Sequence, residues 1–547
     1  MLKHPSRLLA TALALAATAT FASAAAAGAS ARPQASPRTV PVLRASHPVP
    51  AGVKPRPAAA VPLRVPDPRV YAAQKAAADA AAARLSGRPS PALPSVLAPA
   101  IARNWAGQRD TTAAPSDSTG AIGTTRYIEL VNAIAAVYSR TSNTPTASGS
   151  LLQLTGCVTT TCAENVFDPQ IIWDPGTKRF FYVTDDIVSS TQNFLDFGFS
   201  TTATPTLSAS SWCRYNFSFG GTFPDYPKLG DTKDFTLIGS NDFSGPSFTG
   251  SSIAWVTKPP SGTACPAPST FGAGVTGTLK NANSTQAFTP VPANQIDTSS
   301  TGYAIARPRS IPSGGATFLT VFKVTKSSTG TAVIPTTGTS VPVSAFKVPA
   351  SAPQNGTSDL LDTLDARNTQ AVLAADPSHG GVTALWTQHA VFGGAGSQVR
   401  WYEINPATHA VIQNGTISSS SSFTYDGAIS PDRLVNGATK LFGGDMVIDV
   451  VQSSTTTLPA IKVASKIGSG AISSLSTIAT SAAPDTGFDC TRGNGLCRWG
   501  DYAAATPDPA APTTGTAGQV WGSSMLGAPG GSASSSGWTT QNFAIKP

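Results

Sequence analysis

Seven times after residue 116, a polar residue opens a short apolar run that Gly, Pro, Asn and Asp turns then close. The runs are SDSTGAIG at Asp117, FDPQIIWD at Asp168, PDYPKLGD at Asp225, IARPRSIP at Arg307, DARNTQAVLAAD at Arg367, YDGAISPD at Asp426 and WGDYAAATPD at Asp501. The clearest copy, FDPQIIWDPGTKRFFYVTDD from Phe167 to Asp186, joins two apolar runs through a turn at Asp174 to Gly176. That is the signature of a β-hairpin with a loop of about four or five residues. A unit too small to bury its own apolar face must stack on its neighbours, so repetition at intervals of 51 to 82 residues points to a repeat architecture. The intervals exceed kelch-type blades of about 50 residues, and each is long enough for one four-stranded sheet.

The strands can be written out. After Arg367 come NTQAVLAAD, GVTALWTQHAV, SQVRWYEIN and HAVIQNGTI, and after Asp426 come GAISPD, TKLFGGDMVI, PAIKVASKI and ISSLSTIAT. Four strands per repeat with no intervening helix predict an all-β fold, a seven-bladed β-propeller of four-stranded antiparallel sheets, with six blades as the alternative count. After Asp501 only QVWGSSM and WTTQNFAIKP follow the inner strand, so a strand is missing. IARNWAG, Ile101 to Gly107, can supply it from the other end of the chain, which closes the ring and removes a free sheet edge. The expected propeller is therefore residues 99–547.

Residues 1–24 carry a basic start (Lys3, Arg7), an apolar run from Leu8 and the small-residue site Ala22-Ser23-Ala24, the pattern of a secretory signal peptide. Residues 25–98 are rich in Pro, Ala and Arg, with one Ala-rich helix expected over about Val70 to Leu85. This stretch reads as a disordered leader, a spacer or pro-segment, with a basic tether to anionic cell wall as the alternative. No stretch approaches the ~18 uninterrupted apolar residues of a membrane span, so a secreted, extracellular chain, held at the cell wall in the tether reading, is expected. The net charge of +8 arises in the leader: residues 1–116 hold 14 Lys+Arg against 3 Asp+Glu, leaving 23 against 26 for the rest. The propeller thus has no electrostatic footprint for nucleic acid.

Six cysteines in an exported chain read as three disulfides out of 15 connectivities. Proximity pairs Cys157 with Cys162 and Cys490 with Cys497, and elimination leaves Cys213 with Cys265. The five histidines show no ligand spacing beside them, which disfavours a metal centre built on cysteine.

If the seven openings are equivalent, Asp117, Asp168, Asp225, Asp426 and Asp501 share one channel mouth with Arg307, Arg367, Tyr226, Tyr425 and Tyr502. Two carboxylates there could cleave a glycoside, about 5 Å apart for retention or about 6.5 to 9.5 Å for inversion. Crowding would also separate their pKa values into an acid and a base. The arginines suit acidic sugars and the tyrosines suit sugar faces. Asp168, Asp225 and Asp501 are the catalytic candidates. His389, inside LWTQHAV, is the candidate base for a lyase. Asp117, Tyr226, Arg307, Arg367, Asp426 and Tyr502 are the substrate-binding candidates. The competing structural reading is that an Asp at a strand head caps a turn or accepts backbone N–H bonds from the next blade. A Ca²⁺ or Na⁺ at the mouth is a third use of the same oxygens. No Gly-x-Ser-x-Gly elbow, phosphate loop or His-Glu-x-x-His motif occurs.

DSTGAIGTTRYIELVN, FDPQIIWDPGTKRFFYV, DYPKLG, LDARNTQAVLAAD with LWTQHAV, VRWYEI and CRWGDYAAATPDP together resemble exported bacterial β-propeller proteins of unassigned function. The resemblance spans about 99–547 and implies the propeller, but it assigns no catalytic residue. The tail after Pro507 departs from the pattern, being rich in Gly, Ser and Ala. More distantly, an Asp-Pro opening an inner strand is similar to the acidic strand of five-bladed glycosidases, whereas the Ser-x-Asp-x-Gly-x-Thr-Trp turn of sialidase-like propellers is missing. Two functions are therefore expected: a secreted monomer acting on extracellular polysaccharide as a hydrolase or lyase, or a non-catalytic module binding cell-surface glycan or protein. Fold alone does not choose between them.

Overall fold

A computed structural model describes residues 43–50, 53, 63–85, 96–162, 164–260, 262, 264–436, 439–510 and 518–547, all within the unit Val40–Pro547. The expected signal peptide lies outside them. Seven four-stranded antiparallel sheets form a seven-bladed β-propeller. Their inner strands are Thr119–Ile122, Asn165–Asp174, Thr222–Asp231, Ala287–Pro292, Asn368–Asp376, Phe423–Asn436 and Ala504–Pro507, for blades 1 to 7 in order. Blade 7 takes its outermost strand, Ala100–Ala106, from the start of the ring, where it pairs antiparallel with Trp538–Lys546. The seven-blade count and the closure by IARNWAG both hold.

The core is divided among the seams between blades, because each sheet is apolar on both faces and buries them against its two neighbours. Ile171, Trp173 and Tyr182 fill the seam from blade 1 to blade 2, and Phe181, Phe197, Leu229 and Ile238 fill the next. The closing seam, between blades 7 and 1, is aromatic: Trp105 meets Tyr127, Tyr138 and Trp521 edge-on at 5.5, 5.8 and 5.8 Å. The Gly- and Ser-rich tail therefore still makes a packed blade, anchored by Trp521, Met525, Trp538 and Phe543.

Five inner strands carry a β-bulge near the mouth, and in four of them the bulged residue is left-handed: Asp168, Tyr226, Thr289 and Asp426, at φ 52, 61, 56 and 45°. Pro169, Pro227, Pro290 and Gly427 follow them, residues that keep the following position from continuing a regular ladder. This repeat corrects two alignments. The inner strand of blade 4 is Ala287–Pro292, with Thr289-Pro290 as its bulge, while Arg307 ends the second strand, Gly302–Pro308, opposite Phe288. In blade 3 the bulge residue is Tyr226, so Asp225 occupies the place that Phe167 holds in blade 2.

Part of the stretch expected to be a disordered leader is ordered on the propeller. Leu43–Ala45 adds a fifth strand to blade 2 by pairing with Trp212–Gly220. The Ala-rich helix spans Pro68–Ala83, started by the Asp67 side chain, which accepts the Arg69 and Val70 amides. No helix among the described residues is long and apolar enough to cross a membrane. All three expected disulfides form, with Cα separations of 5.1, 5.2 and 3.9 Å in chain order.

Candidate functional site

The bulges turn side chains into one end of the channel. Asp168 gives its amide to Asn132 Oδ1 (2.9 Å) and its Oδ2 accepts the Tyr502 hydroxyl at 3.0 Å. Tyr502 lies against Tyr226 with centroids 4.8 Å apart, and Tyr226 donates its hydroxyl to the Asp501 carbonyl at 2.8 Å. The Lys228 ammonium lies against both rings, 3.4 Å from the centroid of Tyr502 and 4.1 Å from that of Tyr226, with no hydrogen-bond partner. Asp117, Asp168 and Asp501 all act electrostatically on this lysine, and Lys228 in turn acts on Asp426. An ammonium therefore already stands among the carboxylates from which a Ca²⁺ or Na⁺ site was expected.

A two-stranded parallel sheet brings in charges from distant parts of the chain. Leu360–Leu361 pairs with Leu496–Cys497, the latter fixed by the Cys490–Cys497 disulfide. The next residues in each strand are Asp362 and Arg498, which bond at 2.9 Å. Arg498 also reaches Asp501 Oδ2 at 2.5 Å. Asp365 accepts Arg367 Nε at 2.8 Å and Nη2 at 3.0 Å, and accepts Arg307 Nη2 at 2.7 Å. Arg367 lies 4.5 Å from the Tyr226 centroid. Arg307 thus reaches the mouth from a second strand rather than from an inner one.

Residues 64–79 lie across this assembly. The Arg64 carbonyl accepts Arg367 Nη2 at 2.9 Å, while its guanidinium stacks 4.6 Å from Phe223 and lies 4.0 Å from Asp225. Tyr71 donates to Asp362 at 3.3 Å, and Lys75, only 5% exposed, donates to Thr363 Oγ1 at 2.7 Å and to the Leu364 carbonyl at 2.9 Å. Gln74 and Asp79 add bonds to Ile311 and Ser351 on the blade 4 and 5 loops.

Burial dominates the electrostatics. It raises Asp168 to about 7, with Asp225 and Asp501 adding repulsion. It raises Asp225 to about 7 although Arg367 and Arg64 pull the other way, and Asp501 to about 6 against Arg498. Lys228 is pushed well below the ordinary lysine range by burial, in spite of the aspartates around it. Burial also acts on Asp365, but Arg307 and Arg367 overcome it and hold that carboxyl well below the usual range. Near neutrality the mouth therefore mixes protonated and ionised carboxyls, the pairing that acid/base chemistry uses.

Two candidates change character. Asp117 spans a blade seam, accepting the Asp501 amide at 2.8 Å and Asn132 Nδ2 at 2.6 Å, which is the structural role expected of a strand-head Asp. Burial also raises it to about 7. His389 is fully buried on the second strand of blade 5, with Nε2 and Nδ1 both 3.1 Å from partners, the Tyr402 hydroxyl and the Ala366 carbonyl. Burial lowers it to about 3, so it is a satisfied core histidine without the free nitrogen that a lyase base needs. Asp426 lies beside the Trp499 indole. Sequence reasoning missed Lys228, Asp362, Asp365, Arg498 and the covering residues Arg64, Tyr71 and Lys75. Of these, only Lys228 left a signal, a lysine within the apolar run of PDYPKLGD.

No family model matches the chain, and no curated protein matches it. Solved structures do. An apocarotenoid oxygenase variant from Synechocystis is 11% identical, covering 66% of this chain and 74% of that one, at a TM-score of 0.35. The Dos1 propeller is 8% identical, covering 81% and 94%, at 0.36. An exo-β-1,3-galactanase from Clostridium thermocellum is 11% identical, covering 65% and 76%, at 0.27. At these scores none of them bears on what this chain binds or catalyses.

Proposed function

We propose that this is an exported propeller that cleaves extracellular polysaccharide at the channel mouth, as a glycoside hydrolase, with residues 64–79 covering the site until they are displaced. One observation carries the reading: Asp168, Asp225 and Asp501 meet the tilted pair Tyr226 and Tyr502 and the bound Arg367 and Arg498 in a single buried cluster. Asp168, raised to about 7, is the proton donor. Asp501, paired with Arg498, is the ionised partner. The signal peptide 1–24, the leader 25–98 and the disulfides fit export.

A second reading, binding of glycan or protein without catalysis, is favoured by the 5% exposure of each of the three aspartates. A panel of neutral and acidic polysaccharides separates the two. Purified 99–547, which lacks the covering residues, is compared with the full chain and with Asp168→Asn and Asp225→Asn. Cleavage by 99–547 that falls at least ~100-fold in Asp168→Asn is the expected result. Binding without cleavage supports the second reading, and cleavage that survives both substitutions overturns the residue assignment.

A further inference from the structure

Blade 5 carries a second cluster at the end of its inner strand away from the mouth. Asp376 ends that strand and starts the turn Pro377–His379, its Oδ1 accepting the Ser378 amide at 2.8 Å while its Oδ2 meets His379 Nδ1. Glu403, on the third strand, is fully buried. Its Oε2 accepts Gln413 Nε2 at 2.5 Å, whereas its Oε1 has no hydrogen-bond partner. One donor atom from each of Asp376, His379 and Glu403 lies within 4.8 Å of the other two. A buried carboxylate oxygen without a partner is rare in folded proteins and calls for a ligand or an ion.

The arrangement has the layout of a metal centre. Glu403 has one oxygen held from behind by the Gln413 side chain and the other without a partner, while Asp376 has Oδ1 held by the Ser378 amide and Oδ2 against His379 Nδ1, a contact that a shared ion would replace. The His379 side chain is 30% exposed, so the cluster opens to solvent. No free cysteine competes for the ion among the described residues. Asp445 and Lys466 of blade 6 face the same cluster, and the Lys466 ammonium donates to the Gly468 carbonyl.

We propose that Asp376, His379 and Glu403 bind one divalent transition cation, with solvent completing its coordination. One imidazole nitrogen and two carboxylate oxygens match Zn²⁺, whose bonds to both donor types run about 2.0 to 2.2 Å. The ion joins the inner and third strands of blade 5 to a turn whose Ser378 reaches the Gly444 carbonyl of blade 6 at 3.5 Å. This site is independent of the mouth.

Isothermal titration of ZnCl₂ into the chelator-stripped full chain, with CaCl₂ in a parallel titration, tests it. One Zn²⁺ per chain is expected, weakened at least ~10-fold by His379→Ala and by Glu403→Gln, and by about 10- to 100-fold in Gln413→Leu, which removes a supporting donor. His409→Ala, in an unrelated turn, should bind as the parent does. Because His379 is partly exposed, its variant should keep the parent circular dichroism spectrum, which separates lost ligation from lost folding. Zn²⁺ binding unchanged in folded His379→Ala, or Ca²⁺ bound in preference to Zn²⁺, overturns the proposal.

Discussion

Asp168 shows what one buried residue contributes. Its carboxyl titrates at about 7 in the fold, against an unfolded value near 3.9. The folded chain therefore holds a proton that the unfolded chain has released across that interval. The stabilisation is fully present below about pH 4 and is lost as pH rises towards about 7, the reverse of an ion-paired carboxylate. Asp225, also raised to about 7, adds to the same slope. Melting curves between pH 4 and 7 should fall in Tm for the parent and fall less steeply for Asp168→Asn. A slope identical in both would remove Asp168 from the titrating set. The identity of Asp168 as a mouth residue was legible because it opens one of seven repeated apolar runs. Arg307 misled because blade 4 uses Thr289-Pro290 at its bulge, where no charge marks the position, and because an arginine on the next strand is long enough to reach the same centre.

At the scale of elements, the closing strand Ala100–Ala106 depends on its one buried aromatic. Trp105 is 4% exposed and contacts two tyrosine rings across the seam and Trp521 of its own blade. Trp105→Ala should cost about 3 to 5 kcal/mol, read as a lower denaturation midpoint with early hydrogen exchange in Trp538–Lys546, the strand it pairs with. A variant that melts with the parent would mean that the ring closes elsewhere. The helix Pro68–Ala83 was legible from its alanines within two residues at each end. Its place on the propeller was not, because small apolar side chains specify no partner. Single contacts decide it, Tyr71 with Asp362 and Lys75 with Thr363, between residues almost 300 positions apart.

Across the whole molecule, Cys213–Cys265 ties the outer strand of blade 2 to the loop before the last strand of blade 3. It closes a span of 52 residues, worth about 4 kcal/mol, whereas Cys157–Cys162 spans 5 and is worth about 2 kcal/mol. Replacing both cysteines of the longer bridge by serine should therefore lower the denaturant midpoint about twice as far as the same change at the shorter one; equal effects would show that loop length does not govern these bridges. The sequence by itself determined the blade count, the shared last blade and the three disulfides, since strand periodicity, turn residues and cysteine proximity are local signals summed along the chain. Only the tertiary structure decided which polar residues meet. Lys228 against two tyrosines, Arg498 beside Asp362 and Asp376 with Glu403 join strands and loops that no local pattern relates. The physical reason is that a propeller converts position along each blade into position around a ring, so residues far apart in sequence come together at the same radius and depth.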